Sequence, residues 1–230
     1  MRNKGLIING SFRKAGVTIY SKKGQSIVRS AMSLQPHRRT MAQFEVRESF
    51  AHNRRLWKVV RSTGLITYAQ FCALAAKLPV LYLTHEEHFS GYTLLVPGTP
   101  VACGTLPDIG CRLGTVDGRP ALLTDLSPSL LAAGERLTLV TLGQVVFGRQ
   151  PRLTAAMVDV PLADFVSVDG LLALVDDRFG DEGFGWALVR RRGARCSTQT
   201  VVTASRRHLD YTTDDALQRA AASYGGLTAG

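Results

Sequence analysis

Residues 24–64 constrain the fold of this chain more than any other stretch, because they mark both ends of one long helix. Pro36 disfavours helix at the preceding residue, and Thr40 with Gln43 forms a T-x-x-Q capping box, so the helix is predicted to begin at Thr40. Gly64 stands where a left-handed C-cap is expected. Apolar residues at mostly three- or four-residue steps predict its buried face, which is Val46, Phe50, Trp57 and Val60, with Asn53 filling one gap.

A second helix is predicted directly after the first. Thr67 and Gln70 repeat the T-x-x-Q signature, and Pro79 stops the apolar pattern that follows. The short turn at Gly64 therefore predicts a helical hairpin. A DNA-reading helix-turn-helix is disfavoured, because the second helix is rich in alanine and carries Lys77 as its one basic residue, whereas a recognition helix needs side chains that reach bases.

Positive charge is concentrated at the beginning of the chain. The 230 residues carry a net charge of +10, and residues 1–61 hold 14 Lys and Arg against two acids. The rest of the chain holds 14 basic and 16 acidic residues, a balance of −2. This asymmetry predicts a polyanionic partner, such as DNA, RNA or membrane headgroups, or an acidic protein surface. The alternative is a solvated basic face that aids solubility.

A basic, extended arm precedes the first helix, and residues 17–21 and 26–30 within it predict a β-hairpin. Basic side chains of this arm and helix could contact phosphates without sequence preference, or pair with carboxylates of a neighbouring subunit. The candidate contact residues are Arg13, Lys14, Lys22, Lys23, Arg29, Arg38, Arg39, Arg54, Arg55, Lys58 and Arg61.

From about residue 94 the pattern changes to short β-type runs between turn signals. Predicted strands cover residues 93–96, 101–103, 121–124, 136–142, 154–160, 171–175, 186–190 and 198–203. Seven or eight strands without intervening helices indicate a β-sandwich of roughly 100–110 residues, with a short turn or helix at 127–133. A C-terminal helix is predicted after Thr212 or Thr213, with Asp214 and Asp215 in its first turn.

Chemical signatures are weak along the whole sequence. The H-E-E-H motif at 85–88 spaces its histidines three apart, whereas metalloproteases need H-E-x-x-H, so a solvated loop is the preferred interpretation. Acidic pairs at 176–177 and 181–182 could bind calcium but lack EF-hand spacing. There is no G-x-S-x-G elbow and no P-loop. We therefore predict a non-enzyme with no catalytic residues, cofactor or metal; a hydrolase using residues 85–88 is a third alternative.

The four cysteines are widely spaced, at Cys72, Cys103, Cys111 and Cys196. Cys103 and Cys111 could pair across a hairpin, or all four could be small buried hydrophobes in a reducing compartment. The first residues contain too short an apolar run for a signal peptide, and no later run reaches membrane-spanning length. These features predict a cytosolic protein or one released by lysis.

Two motifs near the beginning resemble a known group of sequences. G-x-x-x-Y-x-x-K-G-x-x-I-V-R-S followed by P-x-x-x-T-x-A-Q-x-x-x-R-x-x-F runs from Gly16 to Phe50. It is similar to an uncharacterised family of tailed-bacteriophage and prophage proteins, particularly of gut Bacteroidota. Residues 185–189, 197–202 and 221–226 resemble the ending of that family. The resemblance implies a virion or prophage context, an immunoglobulin-like C-terminal half and no catalytic residues.

Together these observations predict an α+β protein, with an N-terminal β-hairpin arm and helical hairpin followed by an immunoglobulin-like β-sandwich and a short C-terminal helix. The predicted domains are the arm (1–39), the helical hairpin and connector (40–92), the sandwich (93–205) and the C-terminal helix and tail (206–230).

The expected function is that of a phage virion structural or assembly protein, a capsid, portal-vertex or neck component, found in the virion and in the host cytoplasm during assembly. Expected partners are other virion subunits in a homo-oligomeric assembly and the phosphates of packaged DNA, with no membrane. The alternative is an intracellular protein that binds nucleic acid without sequence preference.

Overall fold

The computed structural model describes residues 10–12, 17–22, 25–30, 39–78, 95–147, 150–204, 214–224 and 227–228. Two compact units divide the chain, Met1–Arg39 and Thr40–Gly230. The first contains an antiparallel sheet in the order β1 (Gly10–Phe12), β2 (Val17–Lys22), β3 (Gln25–Ser30). The predicted hairpin is confirmed; residues 23–24 of its turn lie outside the described residues.

Helix α1 (Met41–Val60) begins and ends where the capping signals indicate. Thr40 is its N-cap, and the Gln43 amide donates to Thr40 Oγ1 over 3.3 Å. A 3-10 turn follows α1 and ends at Gly64, whose φ of 66° is in the left-handed region that glycine adopts without strain. Helix α2 (Tyr68–Ala75) is N-capped by Thr67, with both hydrogen bonds of a capping box to Gln70. The helical hairpin is therefore confirmed.

The predicted buried face of α1 is wrong for its N-terminal half. The buried residues of α1 are Phe44, Glu48, His52, Leu56 and Val60. Val46 is 56% exposed and Phe50 is 73% exposed. The prediction followed apolar residues alone, whereas the face that packs on the protein includes a glutamate and a histidine. Tertiary packing, and not the apolar pattern, decides which stripe of the helix is covered.

Two antiparallel sheets form the centre of the second unit. Their strands are β6 (Cys111–Val116), β7 (Arg119–Thr124), β8 (Arg136–Phe147), β9 (Gln150–Val160), β10 (Phe165–Val168), β11 (Leu171–Val175), β12 (Phe184–Arg192) and β13 (Arg195–Cys196). One sheet has the order β10-β11-β7-β6 and the other β13-β12-β8-β9. The short strand β15 (Val202–Thr203) also pairs with β12. Strands β6, β10 and β13 had no predicted counterpart.

Three layers result, because the sheet containing β8 and β12 is covered on both faces. Towards the other sheet, Leu188 and Trp186 of β12 pack in a core with Leu122 and Leu174. On the opposite face lies a second core that joins the sheet to the helices; it contains Leu56, Val60, Phe71, Ala75, Val140, Leu142, Ala187 and Val189. Burying both faces of one strand explains why β12 reads as a nearly continuous apolar run. The α+β fold with a β-sandwich is confirmed.

Two Asp-Gly turns close hairpins of the sheet that contains β6, β7, β10 and β11. Asp117 and Gly118 have φ values of 50° and 77°, and Asp169 and Gly170 have 51° and 79°. Positive φ at both central residues defines the type I′ turn, whose twist matches that of the flanking strands. These turns join β6 to β7 and β10 to β11. Successive hairpins of the chain thus belong alternately to one sheet and to the other. Immunoglobulin domains instead have Greek-key connections, so this chain shares their sandwich architecture but not their connectivity.

The remaining described elements are short. They are strands β4 (Arg39–Thr40), β5 (Pro100–Ala102), β14 (Gln199–Thr200) and β16 (Leu227–Thr228), helix α3 (Asp214–Ser223), and 3-10 turns at Pro128–Leu130, Leu162–Asp164 and Asp177–Gly180. The predicted C-terminal helix is present as α3.

All four cysteines are free thiols, so the pairing of Cys103 with Cys111 is not formed. Cys196 is buried, but Cys72 is exposed, and the expectation that all four are buried is wrong for that residue. Burial of the Cys111 thiol raises its pKa to about 11.

Candidate docking surface

The side of α1 that faces away from the core, together with the C-cap residue Arg61, carries four exposed basic residues. Arg47, Arg54, Lys58 and Arg61 follow one another at steps of seven, four and three residues. At about 100° per residue, their side chains leave the helix within about 60° of one another. We call these four residues the cationic row. Leu56 and Val60 anchor the opposite face of α1 in the core, so the cationic row lies on a helix that is fixed in position.

An aromatic groove of about 740 Å³ runs beside this row, between α1 and α2. It is lined by Ser49, Phe50, Asn53, Arg54, Trp57, Tyr68, Phe71, Cys72 and Ala76. The Trp57 ring lies 5.3 Å from that of Tyr68 and 5.5 Å from that of Phe71, measured between centroids. Trp57 thereby joins the two helices, whereas Tyr68 is 60% exposed at the rim. A hydrogen bond with the Cys72 side chain raises the pKa of Tyr68 above its ordinary value.

Charge around the groove has one dominant sign. Residues 40–78 contain six Lys and Arg against two glutamates, and one of those, Glu48, is buried on the core side of α1. No salt bridge joins a residue of the cationic row to a carboxylate within the part of the chain that the structure describes. The surface therefore combines exposed rings with unneutralised positive charge.

The predicted contact residues are only partly brought together. Arg54, Lys58 and Arg61 belong to the cationic row, whereas Arg55 is half-buried. Lys22 lies at the end of β2 opposite Gln25. Other candidates lie elsewhere: Arg29 on β3 opposite Thr18, Arg39 in β4, and Arg13, Lys14, Lys23 and Arg38 outside the described residues.

The other motifs indicated by the sequence are the H-E-E-H motif and two acidic pairs, of which the pair at 176–177 is engaged in ion pairs. Residues 85–88 are among the undescribed ones. Asp177 accepts from Arg119 over 3.1 Å, and a hydrogen bond from Arg178 lowers the pKa of Asp176. Across the described ranges, no group of three or more His, Cys, Asp or Glu is placed to hold a metal ion.

The groove was not predicted, because the apolar pattern of α1 placed Phe50 on the buried face. A signal was available, because Val46, Phe50, Asn53 and Trp57 lie on a different stripe from Phe44, His52 and Leu56.

Among the described helices, none combines the length and apolar character needed to cross a bilayer. No protein-family model, curated protein or solved structure matches this chain.

Proposed function

We propose that this chain is a non-enzymatic structural or assembly protein of a phage virion, a capsid, portal-vertex or neck component. It docks through its basic N-terminal segment and the cationic row of α1 on other virion subunits, and on the phosphates of packaged DNA. The cationic row, on a helix whose other face is anchored in the core, carries the docking part of the proposal. The resemblance of residues 16–50 to phage and prophage proteins supports the virion context.

The arrangement of charge favours docking over mere solubility. A surface that serves solubility mixes both signs. Here three arginines and a lysine share one side of α1, and the neighbouring side exposes Phe50 and Val46. Exposed apolar side chains beside a band of one charge are typical of surfaces that bind a partner.

Neutralising the row should release the protein from assembled particles. We expect the wild-type chain to co-sediment with particles purified from a lysate of cells that carry the gene. The triple variant Arg47→Gln, Arg54→Gln, Lys58→Gln should fall about tenfold in copies per particle, because it loses three charge-assisted contacts while glutamine preserves helix propensity. Quantitative mass spectrometry of gradient-purified particles measures this.

The matched control removes three arginines of the sandwich, Arg112, Arg192 and Arg195, by the same change to glutamine. This variant has the same net charge as the triple α1 variant and should remain in particles at the wild-type level. Absence of the wild-type chain from particles, or equal retention of both variants, would contradict the proposal.

A second candidate function is sequence-independent binding of nucleic acid. The exposed rings of Phe50 and Tyr68 beside Arg54 favour it, because bases stack on aromatic side chains next to a cationic groove. Each neutralised duplex phosphate should steepen the log–log salt dependence of binding by about 0.9. A filter-binding titration between about 50 and 200 mM salt measures that slope. A shallow slope, or no binding, removes this candidate.

A further inference from the structure

Helix α1 carries a second apolar stripe that its own fold leaves partly uncovered. Val46, Phe50, Asn53 and Trp57 follow at steps of four, three and four residues. Alternating steps of four and three residues make up the heptad repeat of helices that pack side by side, with Phe50 and Trp57 at a and Val46 and Asn53 at d. We call these four residues the heptad row. It differs from the stripe that α1 buries in the core.

Only the C-terminal end of the heptad row is covered by α2. Trp57 packs on Tyr68 and Phe71, whereas Phe50 is 73% exposed and Val46 is 56% exposed. The α1 residues lining the groove, Ser49, Phe50, Asn53, Arg54 and Trp57, occupy heptad positions g, a, d, e and a. These are the positions through which one helix contacts another in a coiled coil. On the other side, the small residues Cys72 and Ala76 of the groove allow close approach.

The flanking charges show what kind of helix fits. With Phe50 at position a, Arg47 and Arg54 of the cationic row fall at position e of successive heptads, and the C-cap residue Arg61 falls at the next e position. Residues at e and g form the ion pairs that select the partner of a coiled coil. Arginine at every e position therefore requires Asp or Glu at the facing positions of the partner helix.

Accordingly, we propose that the heptad row binds an amphipathic helix of a different protein, one with leucine or isoleucine along its seam and acidic residues beside it. The proposal rests on the docking function proposed above and names the chemistry of the partner. Asn53, at the centre of the row, fixes the register of the pairing, because a single polar residue in a heptad seam favours the alignment that gives it a polar counterpart.

A second α1 helix is the wrong occupant. An antiparallel pair of α1 helices would place e against e, which sets arginine against arginine. A parallel pair would place e against g, and the g positions of α1 are Ala42, Ser49 and Leu56, without a carboxylate. Either arrangement leaves Arg47, Arg54 and Arg61 without acidic partners, so this seam selects another sequence.

Two synthetic peptides of about four heptads test the inference. Both carry isoleucine at a and leucine at d; one has glutamate and the other lysine at e and g. Like-charged flanks keep each peptide from pairing with itself. Fluorescence anisotropy of the labelled peptides, titrated with the full chain, should show the glutamate peptide binding at least about tenfold more tightly than the lysine peptide. The triple reversal Arg47→Glu, Arg54→Glu, Arg61→Glu should invert that preference.

Two further variants distinguish binding through the heptad row from general electrostatic attraction between the chain and the peptide. Reversal of Arg112, Arg192 and Arg195 to glutamate makes the same charge change on the sandwich and should leave the preference for the glutamate peptide in place. Phe50→Ser should weaken binding of that peptide about tenfold without loss of folding, because the ring is exposed. Circular dichroism confirms that each variant is folded.

Equal affinity for the two peptides, binding of neither, or a preference unchanged by reversal of the arginines would overturn the inference. Self-association of the chain that is abolished by that reversal would also overturn the inference, because the occupant of the heptad row would then be a second copy. Binding of a single-stranded oligonucleotide with neither peptide bound would overturn it as well, because the occupant would then be nucleic acid. Retention of the chain in particles with neither peptide bound would remove this inference and leave the proposed function standing. Selective peptide binding by a chain absent from particles would support the inference and remove the virion function.

Discussion

Trp186→Ala is expected to destabilise the protein by about 3–5 kcal/mol. Trp186 is 2% exposed and lies between the two sheets, where its ring meets Phe179 at 5.2 Å and an interplanar angle of 84°. It also stacks on Phe184 at 6.1 Å. Removing the indole leaves a cavity that both sheets line, and close-packed neighbours relax only partly to fill it. Urea denaturation followed by far-UV circular dichroism measures the loss.

Two comparisons identify the cause of that loss. Trp186→Phe retains most of the apolar volume and should cost less than about 1.5 kcal/mol. Leu162→Ala removes an apolar side chain that is 51% exposed, and should change the free energy of unfolding by no more than about 0.5 kcal/mol. Equal unfolding midpoints for Trp186→Ala and Leu162→Ala would contradict the position of Trp186 at the centre of the sandwich.

Local signals in the sequence predicted the local structure well. Thr40 and Thr67 cap helices because each can accept a hydrogen bond from an amide at the start of a helix, and that requires only residues three apart. Asp117-Gly118 and Asp169-Gly170 mark turns because both residues tolerate positive φ. The end of the 3-10 turn after α1, at Gly64, follows from the same conformational preference.

Features that depend on distant residues could not be predicted in this way. The apolar pattern of α1 contains two stripes, and only the position of the sheet containing β8 and β12 determines that Leu56 is buried while Phe50 is exposed. Likewise, the groove requires α2 to pack against Trp57, and the alternation of hairpins between sheets requires the whole sandwich. For the same reason Arg54 could be recognised as a contact candidate, but its place beside exposed rings could not.

The ion pair between Glu135 and Arg190 is a further long-range feature, and breaking it should cost as much as losing Trp186. Its side chains are 3% and 6% exposed. Arg190 Nε donates to Glu135 Oε2 over 3.1 Å, and Arg190 Nη2 donates to the Leu130 carbonyl over 2.8 Å. Arg190→Met leaves a buried carboxylate without its main partner, so we expect a loss of about 3–5 kcal/mol in urea denaturation at pH 7.

Removing both charges is the control for this prediction. The double variant Glu135→Leu, Arg190→Met buries no unpaired charge, because apolar groups of similar volume replace the pair, and it should recover most of the stability lost by Arg190→Met. A double variant no more stable than Arg190→Met would show that the loss comes from packing and not from an isolated charge.

The same pair should make stability depend on pH in the acid range. Burial raises the pKa of Glu135, but hydrogen bonds from Arg190 and the Ala132 backbone lower it by more than burial raises it. The pKa of Glu135 therefore lies below its ordinary value. A carboxyl whose pKa is lowered by folding contributes stability above its unfolded pKa, about 4.3, and loses that contribution as pH falls through its folded pKa. The wild-type protein should therefore lose more stability than the double variant between pH 5 and pH 3, as measured by urea midpoints. Identical pH profiles would show that Glu135 is not stabilised as the anion, and that Arg190 is held by the Leu130 carbonyl and by packing alone.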